Sequence, residues 1–546
     1  MIEKRLPDLP IGIQTFEDLR INNFMYIDKT KDLYEIARTK TPCFLSRPRR
    51  FGKSILCTTF KALFEGKKHL FDGTWIATSD WQWQTHPVIH IDFNKIAYES
   101  PQNLKQQIQI QIFLIAKSYN IALDQNQAPG TLLQLLVEAL NLPGKPQPVV
   151  LIDEYDKPMI NNLAQPAVFE EYRNVLYNCY TPLKSLDHAL RFLFITGVSQ
   201  FSKVSIFSAL NHLKNLSSSP KAATICGYTQ AELEHNFAAH IAKAMNKFGY
   251  THDEMLAEIQ HWYNGYCFID PREKKERVYN PFSVINFFDE LSFKNYWFES
   301  GTPTFALNFF KQHEFSVADF ECVQASESAL GAIVPEKLSL TTVLYQAGYL
   351  TIKSYDAELS EYELGFPNYE VSKSCIDGLL TFVFDIKTNP LQRFGLELRN
   401  LFTKGTVTTE ALTTVLTNIC SQTSHQLSPE KERGYQTIFW IIMQMSGLDA
   451  TIEDPTALGR IDITIKTTAQ VYVLEIKIRG KADKAIQQII DNRYAEKYSA
   501  QGLAVTSIGV AIDAKKRALT GCLVLQPGEK LPAQPKKKAS AKPAKK

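Results

Sequence analysis

CFLSRPRRFGKSILCTTF, residues 43–60, decides how the N-terminal half is read. An apolar run, CFLS, enters a basic turn, RPRRFGKS (47–54), and a helical pattern follows. Strand, loop and helix in that order are the setting a phosphate-binding loop requires. Of the pattern GxxxxGK[ST], Gly52, Lys53 and Ser54 are present, while Arg47 stands at the first glycine. Gly52 allows close backbone approach to phosphate, Lys53 is expected to reach the β- and γ-phosphates, and Ser54 to ligate Mg²⁺. The helix N-terminus offers free N–H groups to the anion. Arg47, Arg49 and Arg50 add positive charge beside it, with Arg50 expected among the nucleotide-binding residues.

About a hundred residues on, VVLIDEYD (149–156) places Asp153 and Glu154 at the end of an apolar strand, where ligands of α/β sheets bind. Asp153 is suited to hold the magnesium shell, and Glu154 to orient or deprotonate the attacking water. VIHIDF (88–93) and FLFITGVS (192–199) fit the same sheet, and Thr196 and Ser199 are candidates to sense the γ-phosphate. Near-continuous apolar runs of this kind suit buried parallel strands. Amphipathic stretches around 54–65, 104–118 and 131–141 suit crossover helices, so a helix-covered α/β sheet is expected.

A chain of 546 residues is too long for one core; at least two folded units are expected, with three the favoured number. With 45% hydrophobic and 21% charged residues it excludes a wholly disordered or fibrous polymer. No apolar run approaches the roughly 20 residues that span a bilayer, and the opening MIEKRLPDLP is charged where a signal peptide is apolar, so a cytoplasmic setting without membrane contact is expected. Nine cysteines lie singly, with no CxxC pair, which argues against a disulfide framework or a zinc ribbon. Residues 530–546 hold seven lysines and no acid, so a chain of net charge +3 carries −4 over the residues before them. That tail reads as disordered by composition, either a solubiliser or a contact for polyanions.

The polar stretch NLSSSPKA (215–222) marks the first boundary, giving domains 1–220, a mixed and mainly helical region 221–388, a small α/β domain 389–528, and the tail 529–546. WYNGY (262–266) and YNPFS (279–283) name no chemistry by themselves and read as aromatic packing around turns. In the last domain a helix including Tyr435 to Met445 precedes IDITI (461–465), VYVLEIKI (471–478), a helix near 482–498 and IGVAI (508–512). Alternation puts Glu475 and Lys477 on one sheet face, and a hairpin would bring Asp462 beside them. Asp462 and Glu475 can hold Mg²⁺ or Mn²⁺ against a phosphodiester, with Lys477 positioning water or stabilising developing charge. Gln488 and Tyr494 on the following helix, and a further acid from Glu432 or Glu453, are candidate additions. A surface ion pair is the plainer alternative.

Together LPIGIQTFEDLR, YIDKTK, FLSRPRRFGKS, LIDEYD, FITGVSQFSK, WYNGY and YNPFS resemble the AAA-ATPase-like family of bacterial proteins. GRIDITI, LEIKI and AIQQIIDNRYAEKY resemble the PD-(D/E)XK nuclease-superfamily domain usually attached to it. The resemblance, over roughly residues 6–525, implies a P-loop ATPase of the additional-strand type and a restriction-endonuclease-like C-terminal domain. Gly52, Lys53, Ser54, Asp153 and Glu154 fall on the first set of motifs, and Asp462, Glu475 and Lys477 on the second. The arginine at the first Walker position matches the family; Tyr435 and Gln436 stand where a Tyr-His pair is usual. The expectation is an ATP-controlled, metal-dependent nuclease acting on DNA or RNA, with further copies of the chain as candidate partners. The alternative is a nucleotide-switched binding or scaffold protein whose nuclease fold does not cut.

Overall fold

A computed structural model describes residues 8–163, 165–200, 213–297, 323–331, 339–378, 388–421, 432–478, 480–516 and 518–531. They form two compact units that divide between Cys375 and Ile376. The lysine-rich tail lies outside the described residues except for its first two positions.

The first unit is built on a five-stranded sheet of β1 (Cys43–Ser46), β2 (Val88–Asp92), β3 (Val149–Asp153), β4 (Phe192–Gly197) and β5 (Lys214–Asn215). Its order is β2-β3-β4-β1-β5, and every pairing is parallel. Strands β1, β3 and β4 are buried along their whole length, which is why they read as continuous apolar runs rather than as alternation. The strand inserted between the phosphate-loop strand β1 and the acidic strand β3 is β4. VIHID, which lies between those motifs in sequence, is at the sheet edge. The helices Pro101–Ser118, Pro129–Leu140 and Pro166–Tyr180 pack their apolar faces on this sheet through Leu104, Ile108, Leu133, Leu136, Phe169 and Leu176. Each begins with proline in its first turn, where the missing N–H costs nothing.

The mainly helical region continues the same unit. Two of its helices, Gln230–Asn236 and His252–Tyr263, start on capping boxes, Thr229 with Glu232 and Thr251 with Glu254. WYNGY and YNPFS lie side by side through the antiparallel bridges Tyr266↔Val278 and Tyr228↔Tyr279, and Asn280 caps the helix Pro281–Glu290. Aromatic packing around turns is what both strings do. A three-stranded antiparallel sheet, order β6-β8-β7, closes the region with β6 (Val323–Ser326), β7 (Thr351–Asp356) and β8 (Glu361–Gly365).

The second unit carries the helix Glu432–Met445 and a sheet of β9 (Asp449–Thr456), β10 (Gly459–Lys466), β11 (Val471–Ile478), β12 (Val505–Asp513) and β13 (Ala518–Leu525), ordered β13-β12-β11-β10-β9. Only β11 and β12 pair in parallel, joined by a crossover containing the helix Ala482–Asp491. Ile486 and Ile489 of that helix bury against Val471 and Val473. Strands β9 and β13 were not expected from the sequence. Among the described residues no helix is long and apolar enough to cross a membrane.

Gly265 sits at φ +112, and a side-chain carbon there would collide with the Pro367 carbonyl oxygen. Gly249 also has a positive φ, +71, but an added Cβ meets nothing within 4 Å. Gly249→Ala is therefore expected to cost about 1 kcal/mol, the backbone term alone, and Gly265→Ala about 3 kcal/mol or more. Thermal unfolding of the two variants would show equal losses if the close approach were unimportant.

Candidate functional site

The turn after β1 takes its shape from two left-handed residues, Arg50 (φ +69) and Gly52 (φ +83), and Gly52 is the N-cap of the helix Lys53–Phe64. Lys53 is buried, with Nζ donating to the Pro48 carbonyl at 3.1 Å and lying 3.9 Å from Glu154 Oε1. Its ammonium thus sits inside the loop. A cleft of about 720 Å³ opens beside it, lined by Gly52, Lys53, Ser54, Arg50 and Glu154 on one side and by Gln14, Tyr228 and Phe282 among others.

Asp153 lies at the end of β3, buried, in a hydrogen bond with Ser54. Burial pushes its carboxyl up to about 7 against the pull of Ser54, with Glu154 and Asp92 pushing the same way. Its Oδ1 has no hydrogen-bond partner. A buried carboxylate oxygen left bare beside a serine hydroxyl fits an Mg²⁺ shell. Glu154, at φ +52, reaches the cleft. Thr196 is fully buried with an unpartnered hydroxyl, one residue past the Ile152↔Ile195 pair and so level with Asp153. The predicted residues Arg50, Gly52, Lys53, Ser54, Asp153, Glu154 and Thr196 therefore gather around the end of β1, β3 and β4.

One assignment changes. Arg47 does not add charge to the phosphate side: it is buried, donating to the carbonyls of Ser46 (2.8 Å), Ser217 (2.9 Å) and Ala222 (2.8 Å) and lying 4.3 Å over the Phe268 ring. The Ser199 main chain is fixed at the tip of β4, its N–H donating to Asp156 at 2.5 Å and its carbonyl accepting from the Tyr155 hydroxyl at 3.1 Å. Asp156 is the residue sequence reasoning passed over. It also accepts from Val198 N, and burial raises its carboxyl to about 6. The cleft walls from Gln14 and Phe282 were missed as contacts too, although they lie within the strings LPIGIQTFEDLR and YNPFS.

In the second unit, continuing the Ile463↔Leu474 register by one residue sets Asp462 opposite Glu475 on one sheet face. Asp462 Oδ1 accepts from Gln436 Nε2 and Oδ2 from Ile476 N, each at 2.6 Å. Glu475 is 1% exposed; its Oε1 accepts from Lys477 Nζ at 3.1 Å and Gln488 Nε2 at 2.5 Å, and its Oε2 has no partner. Burial, reinforced by Asp462, pushes the Glu475 carboxyl up to about 8, while Lys477 pulls it down. Two close carboxylates with one bare oxygen fit a divalent cation. Tyr494 is not part of this group: it lies in the core, its hydroxyl accepting from Asn492. Glu453 pairs with Arg460 at 3.7 Å, and the Glu432 side chain lies outside the described residues. Among the described residues no group of three or more His, Cys, Asp or Glu is gathered to hold a metal.

Residues 10–207 match the AAA-ATPase-like family, a predicted AAA-ATPase, and residues 430–520 match the PD-(D/E)XK nuclease superfamily. The chain is also 34% identical over 531 residues to an uncharacterized protein in the vnfD 5′ region of Azotobacter chroococcum mcd 1, covering 94% of this chain and 98% of that one.

Between the ordinary carboxyl value of 4.5 and about 8, the folded chain keeps a proton on Glu475 that the unfolded chain has lost. The second unit is therefore expected to lose stability, by an amount on the order of a few kcal/mol, as pH rises through that window. Millimolar Mg²⁺ is expected to restore it, and Glu475→Gln, which cannot ionise, to flatten the profile. Urea unfolding at pH 5 and pH 9 checks this; a parent and a Glu475→Gln chain with the same slope would exclude the ionisation.

Proposed function

Since the chain belongs to the AAA-ATPase-like family and ends in a PD-(D/E)XK nuclease-superfamily domain, we propose that it hydrolyses ATP with Mg²⁺ and that its nucleotide state controls a metal-dependent nuclease acting on DNA or RNA. One observation carries the reading. Each unit holds a buried, partly unpartnered carboxylate, Asp153 beside Ser54 and Glu475 beside Asp462, whose chemistry suits a cation.

In the first unit, Lys53 exchanges the Pro48 carbonyl for the β- and γ-phosphates, and the N–H groups that open its helix face the same oxygens. Ser54 and Asp153 would hold the Mg²⁺ shell. Glu154, free to swing from its long contact with Lys53, orients the water and takes its proton. In the second unit Asp462 and Glu475 would hold the cation, Mg²⁺ or Mn²⁺, which would supply charge neutralisation at the scissile phosphate. Gln436 and Gln488 fix the two carboxylates, and Lys477 holds a positive charge toward the reacting oxygen.

One observation favours a second reading. Both Asp462 oxygens already accept protein hydrogen bonds, and no third acid joins the pair among the described residues. A fold so arranged suits a nucleotide-switched nucleic-acid binder or scaffold that does not cut.

Lys53→Ala is expected to weaken ATP binding, whereas Glu154→Gln binds ATP but turns it over about 100-fold or more slowly. ATP titration and phosphate release separate the two, and parental hydrolysis by both would refute the assignment. Incubated with plasmid, linear DNA or RNA, Mg²⁺ or Mn²⁺, and with or without ATP, the parent is expected to cut. Asp462→Ala and Glu475→Ala should each abolish nearly all cleavage, the double variant being little worse. Lys477→Ala is expected to keep Mn²⁺ affinity and lose rate. Binding without cleavage by the parent would favour the scaffold reading.

A further inference from the structure

A second cavity of about 950 Å³ lies within the first unit, away from the phosphate loop, between the turn at Asn264 and Gly265 and the segment Glu363–Ser372. Its charges do not balance. Lys275, Arg277 and Lys353 line it against only Glu276 and Glu363, and Glu276 also pairs with Lys274 at 3.2 Å; Glu363, which accepts from the neutral Ser354 hydroxyl at 2.6 Å, offsets one of the cations. Arg277 spends its donors on the carbonyls of Gly265, Ile352 and Lys353, which leaves its positive charge in place. Lys353 has one long contact, 3.5 Å to the Pro367 carbonyl. Burial, with repulsion from Arg277, pushes its ammonium down to about 8 despite Glu363.

Asn368 supplies an independent sign. It is 8% exposed, and its Oδ1 accepts from Val371 N at 3.0 Å, capping the helix Tyr369–Gly378. Its Nδ2 is buried without a partner, in a residue that lines this cavity. Unpaired buried donors are rare and call for an acceptor. At the same cavity the His261 ring stacks on Tyr369 with centroids 4.9 Å apart and planes 22° apart, and Tyr369 is 39% exposed.

We propose that this cavity is a binding site for a small phosphorylated ligand of the mononucleotide class, its phosphate on Lys353 and Asn368 and its planar ring on the His261–Tyr369 pair. A phosphate brings the acceptors that the Asn368 amide and the Lys353 ammonium lack, and its charge offsets the local excess of cations. The volume accommodates a ligand of that size. The site is separate from the ATP reading and stands whether or not that reading holds.

The test is calorimetric titration of AMP, GMP, CMP, UMP and inorganic phosphate into the full chain carrying Lys53→Ala, with the parent chain in parallel. At least one mononucleotide is expected to bind saturably in both backgrounds, and at least tenfold more tightly than inorganic phosphate. Lys353→Met keeps the apolar stem, and Asn368→Asp keeps the helix cap while removing the donor. Each is expected to weaken that binding at least tenfold with an unchanged melting temperature. The proposal is overturned if no mononucleotide binds, if inorganic phosphate binds as tightly, or if the affinity survives both substitutions.

Discussion

Arg47 carries a positive charge into the interior of the first unit, and the loop that follows it is organised around that fact. Taking a guanidinium out of water costs several kcal/mol unless its donors and its charge are both met. Three carbonyls, two of them from the stretch after β5, and the face of Phe268 meet most of that demand, with Nε alone of its nitrogens buried without a partner. A glycine at this position would leave those carbonyls without their donor. The loop therefore trades the flexibility of a first glycine for a fixed root, and its neighbours finish the job: Phe51 packs edge-on against Tyr266 at 4.8 Å, Arg50 lies 4.6 Å over Phe282, and the Trp297 indole donates to the Arg49 carbonyl at 3.3 Å. The aromatic strings of the helical region are thus the outer wall of the phosphate loop.

The carboxylates of the two units obey one rule under different geometry. Asp153 and Glu475 are both withdrawn from water, and in both the loss of hydration outweighs the nearest lysine. In the first unit a hydroxyl and a lysine stand by the acid, against repulsion from Glu154 and Asp92. In the second, a neighbouring acid adds its repulsion, and two amides hold the pair in place. Such groups are poorly suited to carry a full negative charge alone, which gives a divalent cation its advantage at either position.

CFLS, VVLID and FLFITG were legible because an unbroken apolar run between turn residues suits a strand covered from both sides, and VIHID, IDITI, VYVLEIKI and IGVAI were apolar enough to be read with them. Their spatial order was not readable: which strand enters between β1 and β3 is decided by crossover packing over residues far apart. The two edge strands of the second unit were the harder case. β9 is DATIEDPT, with three acids and a proline, and β13 is ALTGCLVL, only partly buried, so neither carries a strong period. Among site residues, Lys53, Asp153, Asp462 and Glu475 announced themselves by motif. Arg47 misled because charge suggests solvent, and its carbonyl partners lie some 170 positions away in the chain. Asp156 was hidden behind the more familiar Asp153 and Glu154.

Gly265 has no room for a side chain because the Pro367 carbonyl already occupies it. The next residue, Tyr266, bears on Phe51 of the phosphate loop, while Gly265 itself faces the second cavity. Protein interiors are close-packed and barely compressible. With the Pro367 carbonyl on one side and the Phe51 ring against its neighbour, the chain at Gly265 and Tyr266 is a fixed corner with no slack to absorb even one methyl group.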